Sequence, residues 1–278
     1  MAAQDGDGLG WNRRRGGAWA DLQPMLDSLF EPVEEILVET SLASGATRVL
    51  DVGCGAGATT LAVAKRLAPQ GHCTGIDIST PLLEAAQSRA SAAGIGNAGF
   101  LQGDAQRFDF MPDTFDAVTS RFGIMFFDDP VQAFTNIGHA VCPNGTLTCM
   151  VWRSKADNPF MTAAERAVAP LLGWTEERDA PAPGQFAFAD ADRVDRILQA
   201  AGWTNVEIAP VNVPCRLTKD DLHIYARRMG RVGVVLPDLD RELHERVERA
   251  LDEAFAPYVT EETAQFEAAC WLIKARAQ

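Results

Sequence analysis

The apolar residues of this chain alternate between short continuous runs and stripes at helical spacing. Arg48-Val-Leu-Asp-Val52 reads as a short buried strand, and across residues 59–67 Leu61, Ala64 and Leu67 share one helical face. His72-Cys-Thr-Gly-Ile-Asp77 reads as a second strand, followed by a helix that Ser79 or Thr80 caps, with Pro81 in its first turn. The alternation continues with strands at 99–102 and 115–120, a helix over 131–141 and a strand at 145–152. Pro143-Asn-Gly145 supplies the turn before that last strand. Strands alternating with helices predict a parallel sheet covered on both faces, an α/β core spanning about residues 45–152.

Beyond this core the pattern predicts a helix at 193–201 ended by Gly202, a strand at 206–213, and a final strand at 263–275 carrying Phe266, Cys270, Trp271 and Ile273. The stretch between those two strands is too long for a hairpin loop. It holds an amphipathic helix in which Leu243, Val247, Leu251 and Phe255 recur every four residues. Residues 157–189 and 218–259 therefore read as insertions forming a helical cap on one domain at 45–278, preceded by an N-terminal helical segment at 1–44. There is no internal repeat, and low complexity is confined to the Gly-rich start and to 179–184.

Composition narrows the possible partners. The chain has 278 residues, 47% hydrophobic and 23% charged, which excludes a wholly disordered, collagenous or disulfide-scaffold protein. Lys and Arg number 25 against 38 Asp and Glu, a formal net charge of −13, so phosphate backbones and anionic headgroups are repelled and nucleic acid is not an expected partner. The basic clusters at Arg13 to Arg15 and at Arg227, Arg228 and Arg231 read as solvated faces. Cys54, Cys73, Cys142, Cys149, Cys215 and Cys270 are scattered without a C-x-x-C pair, so reduced thiols and no metal site are expected. No run approaches the roughly 18 apolar residues of a membrane span, and the first residues lack the pattern of a signal peptide. The expectation is a soluble, cytoplasmic protein; a homodimer is left open.

The strongest local signal is Val49-Leu-Asp-Val-Gly-Cys-Gly-Ala-Gly-Ala58, a strand ending in Gly53, Gly55 and Gly57 and turning into a helix. Without β-carbons there, a cofactor can approach backbone N–H groups at a helix N-terminus. Gly53, Gly55 and Ala58 also satisfy G-x-G-x-x-G/A, with Asp77 where a nicotinamide site places its acid, so glycine spacing leaves two readings open. Asp51, two residues before the first glycine, separates them by charge: it would repel a pyrophosphate but suits a cationic amino-acid headgroup.

With Asp51, Gly53, Gly55 and Gly57 the segment resembles the class I S-adenosylmethionine-dependent methyltransferases, whose first motif is an acidic residue followed by x-Gly-x-Gly-x-Gly. The segment from Phe115 through Phe127 and the turn at Pro143 look like the branch of small-molecule and quinone-type enzymes, and the likeness covers about residues 45–155. It implies a Rossmann-like seven-stranded sheet, mostly parallel with an antiparallel last strand, helices on both faces, and S-adenosylmethionine as cofactor. By the same resemblance Asp77 binds the ribose hydroxyls, Asp104 lies near the adenine amino group, and Ile78 and Ala105 flank the adenine. Asn144 departs from the glycine usual in its turn, a change that Asn tolerates at positive φ. Cys54, inside the loop, reads as a small apolar filler with no paired His.

Before the core, Trp11-Asn-Arg-Arg-Arg-Gly-Gly-Ala-Trp19 looks like a segment that folds over the cofactor, with Trp11 and Trp19 closing the site and Asn12 or Arg15 contacting a carboxylate or the acceptor. Ligands of open parallel sheets bind beyond the carboxyl ends of the strands. Arg121 and Phe122 are therefore expected along the cofactor cleft, and Met125, Phe126, Trp152 and Asn158 near the acceptor. Of the four histidines, His223, with Tyr225 nearby, is the expected base or acceptor-orienting pair, although a packing role weighs more. The expected activity is methyl transfer to a small-molecule acceptor by in-line displacement, mainly through proximity and orientation. The alternatives are an S-adenosylmethionine-binding protein acting as sensor or cyclisation catalyst, and a nicotinamide-dependent oxidoreductase.

Overall fold

The computed structural model describes residues 22–175 and 183–278. Seven strands form one sheet: β1 (Arg48–Val52), β2 (His72–Asp77), β3 (Ala98–Gln102), β4 (Phe115–Arg121), β5 (Val141–Trp152), β6 (Thr204–Thr218) and β7 (Thr263–Arg276), in spatial order β3-β2-β1-β4-β5-β7-β6. β1 to β5 pair in parallel, whereas β7 runs antiparallel to both its neighbours. The fold is thus the mostly parallel seven-stranded sheet with an antiparallel last strand. β1 shows why it forms: Val49, Leu50, Asp51 and Val52 are all buried, as a strand covered on both faces requires.

Helix α1 (Gln23–Leu42) lies against β4, β5 and β6 and buries Met25, Leu26, Leu29, Phe30, Val33, Leu37 and Val38. α2 (Ala58–Leu67) leads from β1 to β2, α3 (Thr80–Ala92) from β2 to β3, and α4 (Pro130–His139) from β4 to β5. α4 starts at an Asp129 cap that accepts from the Gln132 N–H, and stops short of the expected 141 because Val141 is drawn into the sheet opposite Phe115. β5 accordingly starts before the 143–145 turn, where Asn144 sits at φ 65°.

The main departure from the sequence reading is β6, which continues five residues past Val213 to Thr218. Pro210 and Pro214 both lie within it and are tolerated because β6 is the edge strand, where a missing N–H costs no ladder bond. Val213, Cys215 and Leu217 bury while their neighbours face outward. Trp152, the last residue of β5, pairs with Cys270, so the rest of the β6–β7 ladder, up to Thr218 opposite Thr263, projects beyond the carboxyl edge of the sheet.

That projecting ladder carries α7 (Lys219–Arg228), α8 (Gly230–Val235) and α9 (Arg241–Phe255), while α5 (Pro159–Leu172) follows β5 and α6 (Ala191–Ala200) precedes β6. α9 is the amphipathic helix its spacing predicts, with Val247, Leu251 and Phe255 buried. Val168 of α5, Val232 of α8, and Val247 and Leu251 of α9 form a small core of their own. These helices gather at the carboxyl edge of the sheet, where β1 to β5 also end. No helix among the described residues is long and apolar enough to cross a membrane.

Candidate active site

At that edge β1 turns into α2 through Gly53 to Gly57, and the three glycines serve different purposes. A β-carbon on Gly53 would stand 2.6 Å from Cα of Gly123, and one on Gly57 would stand 2.9 Å from Cβ of Ala86. Both positions are bare so that protein can approach. Gly55, at φ 53°, meets no described residue within 4 Å on that side and is the loop glycine that faces open space among the described residues. The Gly53 and Cys54 N–H groups donate to the Ile76 carbonyl, tying the loop to β2. Cys54 is buried, its sulfur facing Gly75, and burial pushes its thiol well above the ordinary range, the behaviour of a filler rather than a nucleophile.

Asp77 ends β2 and braces the loop: its Oδ2 accepts the Gly55 N–H at 2.8 Å and its Oδ1 the Ser79 N–H at 2.9 Å. Burial pushes its carboxyl upward against the pull of these donors. Two oxygens offer about four acceptor positions, which leaves room for ribose hydroxyls. Asp104 stands just past the end of β3 with its Oδ1 accepting the Gln106 N–H, its Oδ2 3.7 Å from Arg107 Nη1 and its side chain 41% exposed. Ala105 beside it is buried and Ile78 half-buried.

Asp51 lies beneath the loop, 1% exposed, its Oδ2 accepting from the Thr60 hydroxyl at 2.6 Å. Burial raises its pKa to about 7, against the Thr60 hydrogen bond and the charge of Arg121. Arg121, at the end of β4, stands 3.6 Å from Glu34 and 3.9 Å from Asp27, both on α1, and its buried Nη1 makes no hydrogen bond among the described residues. Burial raises the Glu34 carboxyl, only partly offset by Arg121. The result, among the described residues, is a largely enclosed cluster of carboxylates, Asp51, Glu34 and Asp27, beside a guanidinium with one donor that lacks a hydrogen bond. An amino-acid headgroup, carrying both an ammonium and a carboxylate, matches that pattern of charge.

Residues expected near an acceptor are placed differently. Phe122 adopts φ 65°, which brings Gly123 back against Gly53, and its ring stacks on Trp152 at 4.2 Å with Phe30 edge-on to both. Met125 and Trp152 are 1% and 3% exposed, absorbed by this packing. Asn158 is fully buried, donating to the Ala269 and Ser154 carbonyls and accepting from the Ala269 N–H, so it fastens the start of α5 to β7. Phe126 alone of these stays at the surface, 41% exposed.

His223 and Tyr225 are not brought together. Two residues apart on α7 they point in opposed directions, His223 outward and Tyr225 edge-on against Phe255, its phenol raised by burial. Trp11, Asn12, Arg15 and Trp19 lie outside the described residues. The sequence reading missed Thr60, Gly123, Asp27 and Glu34. For Asp27 and Glu34 a signal existed: they fall at i and i+7 around Phe30, carboxylates on the face a buried helix turns inward.

Comparison with known proteins agrees with this geometry. The sequence model of a family described as "Methyltransferase domain" matches residues 49–145, the span from β1 through the turn before the main run of β5. The chain is 30% identical over 196 residues to a demethylmenaquinone methyltransferase of Lactiplantibacillus plantarum, covering 64% of this chain and 79% of that one. In fold it is similar to the [4+2]-cyclase SpnF, with TM-score 0.58 and 19% identity over 95% of this chain and 96% of that one. It is also similar to the Haemonchus contortus phosphoethanolamine N-methyltransferase 2 solved with S-adenosyl-L-methionine, with TM-score 0.57 and 17% identity over 96% of this chain and 59% of that one.

The chain belongs to the class I S-adenosylmethionine-dependent methyltransferases, in their quinone-type branch. It is an enzyme of that cofactor, and the described residues fit the group: an open face at Gly55, a braced carboxylate at Asp77 and a buried Arg121 donor without a hydrogen bond.

Proposed function

We propose that the protein methylates a small organic acceptor held between the carboxyl edge of the sheet and the helices of residues 157–189 and 218–259. The observation that carries this reading is the row of carboxylates at successive strand ends, Asp51, Asp77 and Asp104, around a glycine loop whose one open face is Gly55. Similarity to demethylmenaquinone methyltransferases supports an acceptor of quinone-like size and chemistry.

In this reading Asp77 accepts from the ribose hydroxyls, Asp104 from the adenine amino group, and Ile78 and Ala105 flank the ring. Asp51 attracts the ammonium and Arg121 the carboxylate of the methionine part. S-adenosylmethionine, when bound, supplies a methyl group already activated on a sulfonium, so the protein's task is to aim a nucleophile in line and exclude water. Phe126 and the N-terminal Trp11 and Trp19 are the candidates for covering cofactor and acceptor. With His223 and Tyr225 apart, no base is assigned to that pair, and the transfer runs on proximity and orientation.

Titration calorimetry with S-adenosylmethionine, S-adenosylhomocysteine and NADH, on wild type and Asp77→Ala, tests the site. Adenosyl compounds are expected to bind and to lose at least about tenfold in affinity in the variant, from the loss of charge-assisted hydrogen bonds. Binding of NADH alone refutes the assignment. An acceptor screen with methyl-labelled cofactor tests the reaction: cofactor binding without any methylated product across quinone-like and other small acceptors would favour a sensor or a cyclisation catalyst.

A further inference from the structure

The glycine loop is held from a second side by a group that no part of the reading above uses. Arg89, on α3, donates from Nη1 to the Ala56 carbonyl at 2.7 Å, and its Nη2 pairs with Asp27 of α1. Asp27 also accepts from Gln23 Nε2 at 2.5 Å and lies 3.9 Å from Arg121. One planar guanidinium therefore bridges the loop and the helix that continues from the N-terminal segment. A fork of fixed geometry can hold two partners at once where a point charge cannot.

The bridge matters because of where it grips. The Gly55 N–H is held by Asp77, and the next residue's carbonyl is held by Arg89, so Gly55 and Ala56 are clamped at both ends by side chains of opposite charge from different elements. Gly55 sits at positive φ with open space beside it, and its own conformational freedom would otherwise let that stretch wander. The clamp freezes the part of the loop that a ligand meets, before the ligand arrives.

We propose that Arg89 and Asp27 are positioning residues for S-adenosylmethionine: through the Ala56 carbonyl they fix the glycine loop in its binding conformation and tie that conformation to the placement of α1. The inference rests on the reading of the loop as the cofactor site. Neither residue touches the reacting atoms, and both act on affinity rather than on the transfer itself.

The test is calorimetry with S-adenosylmethionine on full-length wild type, Arg89→Met, Arg89→Lys, Asp27→Asn and the Arg89→Met/Asp27→Asn double variant. Thermal unfolding and hydrogen exchange of the loop amides are followed beside it. Arg89→Met is expected to weaken binding about tenfold, the scale of one charge-assisted hydrogen bond, and to speed exchange at Cys54 to Gly57. Arg89→Lys keeps the charge beside Asp27 and folds like wild type, yet is expected to recover only part of the affinity. The double variant is expected to be no weaker than Arg89→Met, because the two residues act as one device. Wild-type affinity in both Arg89 variants, or loss of thermal stability with affinity and loop exchange unchanged, overturns the proposal. Asp77→Ala run in parallel separates the failures: if it too binds normally the loop is not the cofactor site, and if it alone loses binding only the clamp is refuted.

Discussion

Replacing Asp51 by Asn should reverse in sign with pH. The carboxyl is 1% exposed, and burial lifts its pKa from 3.8 to about 7 in the folded protein. Between these values the folded state binds a proton that the unfolded chain has released, so stability falls as pH rises through that window. A shift of about three units corresponds to about 4 kcal/mol by pH 8. Asn removes that penalty but leaves amide N–H donors buried without acceptors, costing roughly 1–3 kcal/mol at every pH. The variant should therefore be less stable than wild type near pH 4 and more stable near pH 8, with the curves crossing between about pH 4.5 and 6. Urea unfolding of the cofactor-free proteins at half-unit pH steps measures it. Parallel curves would refute the assignment of a buried, strained carboxyl beneath the loop. Cofactor binding should restore the wild type's advantage at pH 8, where Asp51 is ionised and meets a cation.

The glycines should separate fold from binding: Gly53→Ala, driven onto the Gly123 backbone at 2.6 Å, is expected to cost about 3 kcal/mol or more in urea unfolding. Gly55→Ala should cost only about 1–2 kcal/mol for its positive φ and yet weaken S-adenosylmethionine binding, read by calorimetry. Asn158→Ala strips three hydrogen bonds from a buried junction and should lower stability by about 2–4 kcal/mol while leaving cofactor affinity unchanged, since its partners are Ser154 and Ala269. For Asp116, burial raises the carboxyl, but the donors Arg48 and Thr47 outweigh it and hold it at about 2. Asp116→Asn should lose about 1 kcal/mol at pH 7 after solvent screening, a difference that fades as pH falls from 4 through 2 and both forms become neutral.

What the sequence revealed was whatever a single segment decides alone. β1 follows from a short, mostly apolar run, α9 from a four-residue apolar repeat, and the loop from three glycines behind an acid. What it concealed depends on partners distant in the chain. The continuation of β6 past Val213 shows only once β7 is placed beside it, and Asn158 reads as a ligand-facing polar residue until β7 is placed against it. Gly123 looks like one more glycine in a loop, although its neighbour at 2.6 Å lies seventy residues earlier. The pairing of His223 with Tyr225 failed on geometry that was legible, since residues two apart on a helix cannot share a face.

The two ends of the sheet treat their carboxylates differently, and the difference supports the proposed ligand edge. At the amino end Asp116 collects donors from Arg48 and Thr47 and is held near 2, a carboxylate whose charge the fold satisfies. At the carboxyl end Asp51, Asp77 and Glu34 are all pushed upward by burial, and Arg121 beside them keeps a buried donor without a hydrogen bond. Groups left unrelieved among the described residues cluster at functional sites, so their concentration at one edge supports the proposal that a ligand completes them. A ligand with an ammonium, a carboxylate and a vicinal diol would relieve each of them. The charge pattern thus supports the edge we propose for the cofactor, with Asp51 common to this argument and to the glycine motif.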